Sequence, residues 1–192
     1  MCCLLGEDLA RQPEHAAQLP PATIEAYAKA APLHDIGKVG IPDHILLKPG
    51  KLTPDEWEVM KTHSQIGADA ISRAIGQEAA PEAVGFLHTA IDIARHHHER
   101  WDGSGYPCGL QGEAIPLSAR MMALADVFDA LISARSYKPA MPQAQAEAII
   151  LQGRGTHFDP AVVDAYLRQR DAFAAIAARF ADPIEAPAES LS

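Results

Sequence analysis

His34-Asp35-Ile36-Gly37-Lys38-Val39-Gly40-Ile41-Pro42-Asp43 sets a histidine beside a carboxylate, with two glycines and a proline close behind. Residues 22 to 38 have the helical pattern, apolar side chains three and four apart, so His34 and Asp35 are expected near the end of that helix. Gly37 and Gly40 then break it. A His-Asp dipeptide alone decides little, because the two residues meet by chance in many chains. Its meaning depends on what the rest of the chain places beside it.

Outward from this stretch the same period recurs. Residues 1 to 12 read as a helix, and Thr53-Pro54-Asp55-Glu56 is a helix start in which Thr caps, Pro takes the first helical position and Glu completes a capping box. That helix is expected to reach about Ile75. Another covers 81 to 99 and ends in His96-His97-His98-Glu99, followed by a Gly- and Pro-rich loop from Trp101 to Pro116. Helices over 117 to 133, 142 to 152 and 160 to 180 complete the pattern, the last opening after Asp159-Pro160. Strand-type alternation and internal repeats are missing. The expectation is an all-α bundle, one domain over residues 1 to 180, with a frayed tail over 181 to 192.

A chain of 192 residues can bury a core without covalent staples. The net charge of -9 argues against nonspecific binding to a nucleic-acid polymer, which relies on clustered Lys and Arg. A small phosphate ligand stays compatible, since bound cations can supply the positive charge. No apolar run is long enough to span a bilayer, and Met1 to Gln12 does not read as a signal peptide. Three cysteines (Cys2, Cys3 and Cys108) without framework spacing suggest reduced thiols, so a cytoplasmic location is expected.

Five of the nine histidines, His34, His63, His96, His97 and His98, fall in helical segments close to acids. A hydrolytic metal site needs neutral imidazoles and carboxylates converging on one point. Positions 34/35, 63, 97/98 and 126 lie on four successive expected helices that could turn them inward together. His63 shares a face with Trp57, Met60, Ile66 and Ala70 and is expected to point inward; alone it would read as an ordinary core histidine. Asp126, inside Met121-Met122-Ala123-Leu124-Ala125-Asp126-Val127-Phe128, calls for a metal or a cation, because an unpaired carboxylate on an apolar helix is costly. Consecutive helical residues diverge by about 100°, so at most two of the three adjacent histidines can reach one site. A surface tract is the alternative.

Taken together, His34 to Asp43, Lys61-Thr62-His63 and His97-His98-Glu99-Arg100-Trp101-Asp102-Gly103-Ser104-Gly105-Tyr106-Pro107 resemble the HD-GYP domain. The likeness continues through Ala125 to Leu131, Arg135-Ser136-Tyr137-Lys138 and Gly155 to Pro160, and covers about residues 25 to 168. It implies an HD-type helical bundle with a Gly-Tyr-Pro loop and a phosphodiesterase that opens the bacterial messenger cyclic di-GMP to pGpG and onward to GMP. It also implies that His34, Asp35, His63, His97, His98 and Asp126 hold two or three divalent ions, iron or manganese, with Asp35 as the bridge. By the same likeness His97 and His98, not His96, are the members of the triple that serve. Asp35 and Lys38 would be catalytic; Lys38, Arg135 and Lys138 would touch phosphates; Gly105, Tyr106 and Pro107 would shape the pocket. Tyr106 or Trp101 would stack on guanine or hold the loop against the core. A protein partner at that loop and a homodimer are further expectations.

Members of the family usually carry a His-x-x-Arg-Val motif on an earlier helix, and this sequence begins at Met1-Cys2-Cys3-Leu4-Leu5, about where that motif should end. Two alternatives are expected: either the sequence is a fragment or mis-started chain of a longer protein, or the protein lacks the usual first helix and part of one metal site, which would weaken metal binding or activity. The competing readings are a catalytically impaired signalling or interaction module, and an HD phosphohydrolase acting on another nucleotide.

Overall fold

The computed structural model describes residues 1–75, 81–133 and 141–180. Arg135 and Lys138, and the tail over 181–192, lie outside them. The order is α1 (Cys2–Leu9), α2 (Pro13–Ala16), α3 (Pro21–Ala30), α4 (Asp43–Leu46), α5 (Pro54–Lys61), α6 (His63–Ala74), α7 (Pro81–His96), α8 (Leu117–Ile132), α9 (Gln143–Gln152) and α10 (Pro160–Phe180). No strand forms among the described residues, so the all-α expectation holds. No described helix is long and apolar enough to cross a membrane.

Three expected helices are cut short, each where a chemically important residue sits. The segment expected over 22–38 stops at Ala30. Pro32, without an N–H and with a ring that clashes one turn back, cannot continue an α-helix, and the chain tightens into a 3₁₀ turn over Ala31–Leu33. His34 and Asp35 therefore lie between this turn and a second one, Ile36–Gly40, and not on a helix. The helix from Thr53 bends at Thr62, whose hydroxyl donates to the Val59 carbonyl at 2.6 Å and loosens the ladder, so His63 opens α6. The helix expected to Glu99 ends at His96, leaving His97 and His98 in a turn.

The capping box of α5 forms as read: Glu56 N–H donates to Thr53 Oγ1 at 3.3 Å, and Thr53 N–H donates to Glu56 Oε2 at 2.7 Å. Asp159 caps α10 by accepting from Ala161 N–H at 2.8 Å, and its other oxygen takes the Arg120 guanidinium at 2.7 Å. Both partners of that pair are almost wholly buried, and it ties α8 to the start of α10.

Two apolar clusters hold the bundle. The larger joins α1, α8, α9 and α10 through Leu5, Leu124, Phe128, Ile150, Tyr166 and Phe173. Across the α1–α10 contact the buried Asp8 accepts from Arg168 at 2.7 Å and Gln169 at 3.1 Å. The smaller cluster is rich in alanine: Ala30 of α3, Ala90 and Ala94 of α7 and Ala125 of α8 are all nearly inaccessible. Short side chains let three backbones approach closely. His34, His97 and Asp126 each follow one of these alanines by one to four residues, so this close-packed layer is the floor on which the site stands.

Candidate metal centre

Above that floor Asp35 is the hub. Its Oδ1 lies 3.4 Å from His63 Nε2 and 3.9 Å from His97 Nε2, while Oδ2 lies 3.3 Å from His34 Nε2 and 2.5 Å from Lys38 Nζ. His34 Nε2 also faces Asp126 Oδ1 at 3.6 Å. His98 Nε2 is 3.2 Å from His63 Nε2. One donor atom from each of Asp35, His63, His97 and His98 falls within 4.8 Å of the others. All six residues singled out in the sequence thus converge, in two groups that share one carboxylate.

The imidazoles are oriented from behind. His34 Nδ1–H donates to the Ala31 carbonyl at 2.8 Å, His63 to Met60 at 2.7 Å and His97 to Ile93 at 2.9 Å. A carbonyl only accepts, so each Nδ1 must carry hydrogen and each Nε2 is turned to the centre, the arrangement in which histidines bind cations. His63 and His97 are each about 2% exposed.

Burial pushes the His63 pKa down; the His97 ring, buried and beside His34, falls to about 4, and His98, buried beside His97 and His63, to about 3. These three rings are neutral, as ligands must be. For His34 burial acts the same way, but Asp126 and Asp35 outweigh it and hold its pKa up to about 10. Burial raises the Asp35 carboxyl, and His34 and Lys38 more than reverse that, leaving it far below the usual carboxylate range. Two carboxylates thus hold a proton on His34 where they could instead hold a cation.

Asp35 Oδ1 and His97 Nε2 are buried with no hydrogen-bond partner. Such atoms cost free energy unless something satisfies them. Nitrogen and oxygen donors without sulfur fit a divalent transition ion. This is a candidate His/Asp metal cluster.

Residues 6–162 match the family model described as an HD domain. The chain belongs to the HD domain family. With its Gly105-Tyr106-Pro107 loop it is an HD-GYP domain. It is 59% identical over 178 residues to a cyclic di-GMP phosphodiesterase of Vibrio cholerae, covering 93% of this chain and 36% of the relative. A 3'3'-cGAMP-specific phosphodiesterase of the same organism is 42% identical over 168 residues, covering 88% of this chain and 31% of that one. The HD-GYP domain thus spans about a third of these relatives. Among solved structures, a crystal structure of a cyclic GMP-AMP specific phosphodiesterase of V. cholerae superposes with a TM-score of 0.60, covering 93% of this chain and 46% of that one at 21% identity, a likeness of fold.

Beside the centre the HD-GYP domain has a cavity of about 420 Å³, lined by Trp57, Lys61, His98, Arg100, Ser104, Gly105, Tyr106 and His157. The Tyr106 ring stacks on His98, centroids 4.7 Å apart, and meets Trp57 edge-on at 6.1 Å. Trp57, read from the sequence as facing inward with His63, is instead 46% exposed at this cavity. The helix break at Thr62 separates α5, which has no buried residue, from α6, which buries His63, Ser64, Gly67, Ala68 and Ile71. Trp101 belongs to another cavity, with its indole facing Arg120.

Sequence reasoning passed over Glu99. It is a fully buried acid whose oxygens accept from Cys108 N–H at 2.7 Å and Leu110 N–H at 3.1 Å, fastening the Gly-Tyr-Pro loop to the end of α7. Its signal was an acid directly after the histidine run. Gly105 packs on the same point, since a Cβ there would lie 2.3 Å from Arg100 N. Lys61, Arg100 and His157 lie within the sequence motifs but were given no role there; the fold brings them to this cavity.

Proposed function

We propose that this HD-GYP domain is the catalytic part of a metal-dependent phosphodiesterase that opens cyclic di-GMP to pGpG and onward to GMP. One observation carries the reading: Asp35 turns its two oxygens to two different sets of donors, with Oδ1 and His97 Nε2 buried and unsatisfied. That is the form of a carboxylate shared between two cations. The names of the relatives support the substrate class.

In this proposal His34, Asp35, His63, His97, His98 and Asp126 hold two or three divalent ions, iron or manganese, with Asp35 bridging. When bound, the ions would supply Lewis-acid charge at the phosphodiester. The other steps belong to the chain. Backbone carbonyls hold the imidazoles with Nε2 inward, so little reorganisation is needed at the moment of reaction. Lys38, whose Nζ reaches Asp35 Oδ2, is placed to donate to a phosphate or leaving oxygen. Tyr106 and Gly105 wall the cavity where a guanine would lie, and Pro107, Arg135 and Lys138 are further substrate contacts of the proposal. It also includes one domain over residues 1–180, a protein partner at the loop, a homodimer and a cytoplasmic setting, where a cyclic dinucleotide messenger would be met.

The chain loaded anaerobically with Fe²⁺ or Mn²⁺ should convert cyclic di-GMP to pGpG, followed by chromatography, and Asp35→Ala should not. Equal turnover after chelation would sink the metal mechanism. Tight binding without hydrolysis would make the domain an interaction module, and faster turnover of cyclic GMP-AMP in the same panel would reassign the substrate.

A further inference from the structure

A second constellation lies where α7 meets the Gly-Tyr-Pro loop. Donor atoms of His96, Glu99 and Cys108 all fall within 4.8 Å of one another. His96 is the member of the triple histidine that the catalytic cluster does not use. Its Nδ1 is buried without a hydrogen-bond partner and lies 3.7 Å from Glu99 Oε1. That separation is too long for a hydrogen bond. It is close to the edge of about 3.4 Å between two ligands of a tetrahedral ion with bonds of about 2.1 Å. The Glu99 carboxylate accepts two backbone N–H groups, and a carboxylate has about four lone-pair positions, so it retains acceptor capacity. Cys108, the third member, is a free, exposed thiol, open to an arriving ion.

We propose that His96, Glu99 and Cys108 form a separate cation site that takes a borderline-soft ion such as Zn²⁺. The choice of ion follows from the donors. A thiolate beside an imidazole and a carboxylate favours zinc over manganese or magnesium, whereas the catalytic cluster offers nitrogen and oxygen only. Three protein ligands leave a fourth position for water, and the Cys108 proton goes to solvent as the ion binds. The ion would lock the loop to the end of α7 beyond the two hydrogen bonds to Glu99. His97 and His98 directly follow His96, and Tyr106, which stacks on His98, lies two residues before Cys108. Occupancy would therefore stiffen the wall shared with the catalytic cavity.

Co²⁺ is a spectroscopic stand-in for zinc, and only a cysteine site gives a thiolate-to-cobalt charge-transfer band in the near ultraviolet. The chain titrated with Co²⁺ should show that band, displaced by Zn²⁺. It should survive in Asp35→Ala, vanish in Cys108→Ser, and need about tenfold or more cobalt in His96→Gln, as for loss of a metal-supporting group. In the unsubstituted chain, Zn²⁺ should protect Cys108 from iodoacetamide, read by mass spectrometry of the peptide. A band that persists in Cys108→Ser would assign the sulfur to Cys2 or Cys3 and overturn the proposal. So would alkylation of Cys108 at the same rate with and without zinc.

Discussion

Gly37 lies directly against the carbonyl of His63: a Cβ at position 37 would fall 1.8 Å from that oxygen and 2.5 Å from Gly67 N. This contact seats the 3₁₀ turn behind Asp35 on the first turn of α6, and so sets Asp35 Oδ1 and His63 Nε2 3.4 Å apart. Neither backbone can give way without moving a donor. Gly37→Ala should lower stability by about 3 kcal/mol, the upper part of the range for forcing a methyl group into packed space. It should weaken metal binding as well. Urea unfolding and a metal titration check both, and a variant of parental stability would refute the close contact.

Lys38 is half exposed and hydrogen-bonds Asp35 at 2.5 Å, so removing it should leave the fold and metal content intact. Under the proposed mechanism Lys38→Met should lower kcat by roughly 10²-fold, the order found for loss of one preorganised donor. Lys38→Arg should recover part of it. Steady-state turnover of cyclic di-GMP, with metal analysis of each variant, decides.

Under the proposed metal site, removing metal should cost stability, because the buried Asp35 Oδ1 and His97 Nε2 have no hydrogen-bond partner in the protein and a bound cation would satisfy them. An ion at 100 times its Kd adds about 2.7 kcal/mol. For a domain of this size that corresponds to roughly 5–10 °C in Tm. Calorimetry with Mn²⁺ and with chelator should show the difference, and Asp35→Ala should largely erase it.

Glu99→Ala should destabilise the domain by about 1.5–3 kcal/mol, the range for hydrogen bonds to a charged group, since the amides of Cys108 and Leu110 lose their acceptor. Hydrogen exchange at those two amides should quicken first. Unchanged exchange would mean the loop is held elsewhere.

His157 is stacked on Phe158, ring centroids 4.1 Å apart, and burial, with help from Arg100, lowers its pKa from 6.5 to about 4. The folded state thus prefers the neutral ring. As pH falls through 6.5 the unfolded chain takes up the proton first, so stability is full above that value, declines toward pH 4, and levels off below. His157→Phe removes this group alone. The difference in unfolding free energy between parent and variant should shift in favour of the variant between pH 6.5 and 4, and a constant difference would count against it.

Helix class, the capping box at Thr53, the Asp159-Pro160 start and all six convergent residues were legible in the chain, because they rest on local rules and on motif order. A capping box needs only residues three apart, and an apolar stripe only a period. Local pattern alone nevertheless misplaced the settings of His34, His63 and His97: all three were read onto continuous helices. Pro32, Thr62 and the end of α7 instead put His34 and His97 in turns and His63 at a helix start. A helix would have splayed His97 and His98 apart by about 100°. Outside one, both rings reach Asp35 or His63.

What the sequence determined by itself was which residues meet, since their chemical types and order survive any small change of backbone. Only the tertiary structure decided how they meet. The alanine layer sets the depth of the floor, Gly37 sets the distance to His63, and Glu99 draws the loop into place. These are contacts between segments far apart in the chain. Their distances depend on close packing in three dimensions, which no local period encodes.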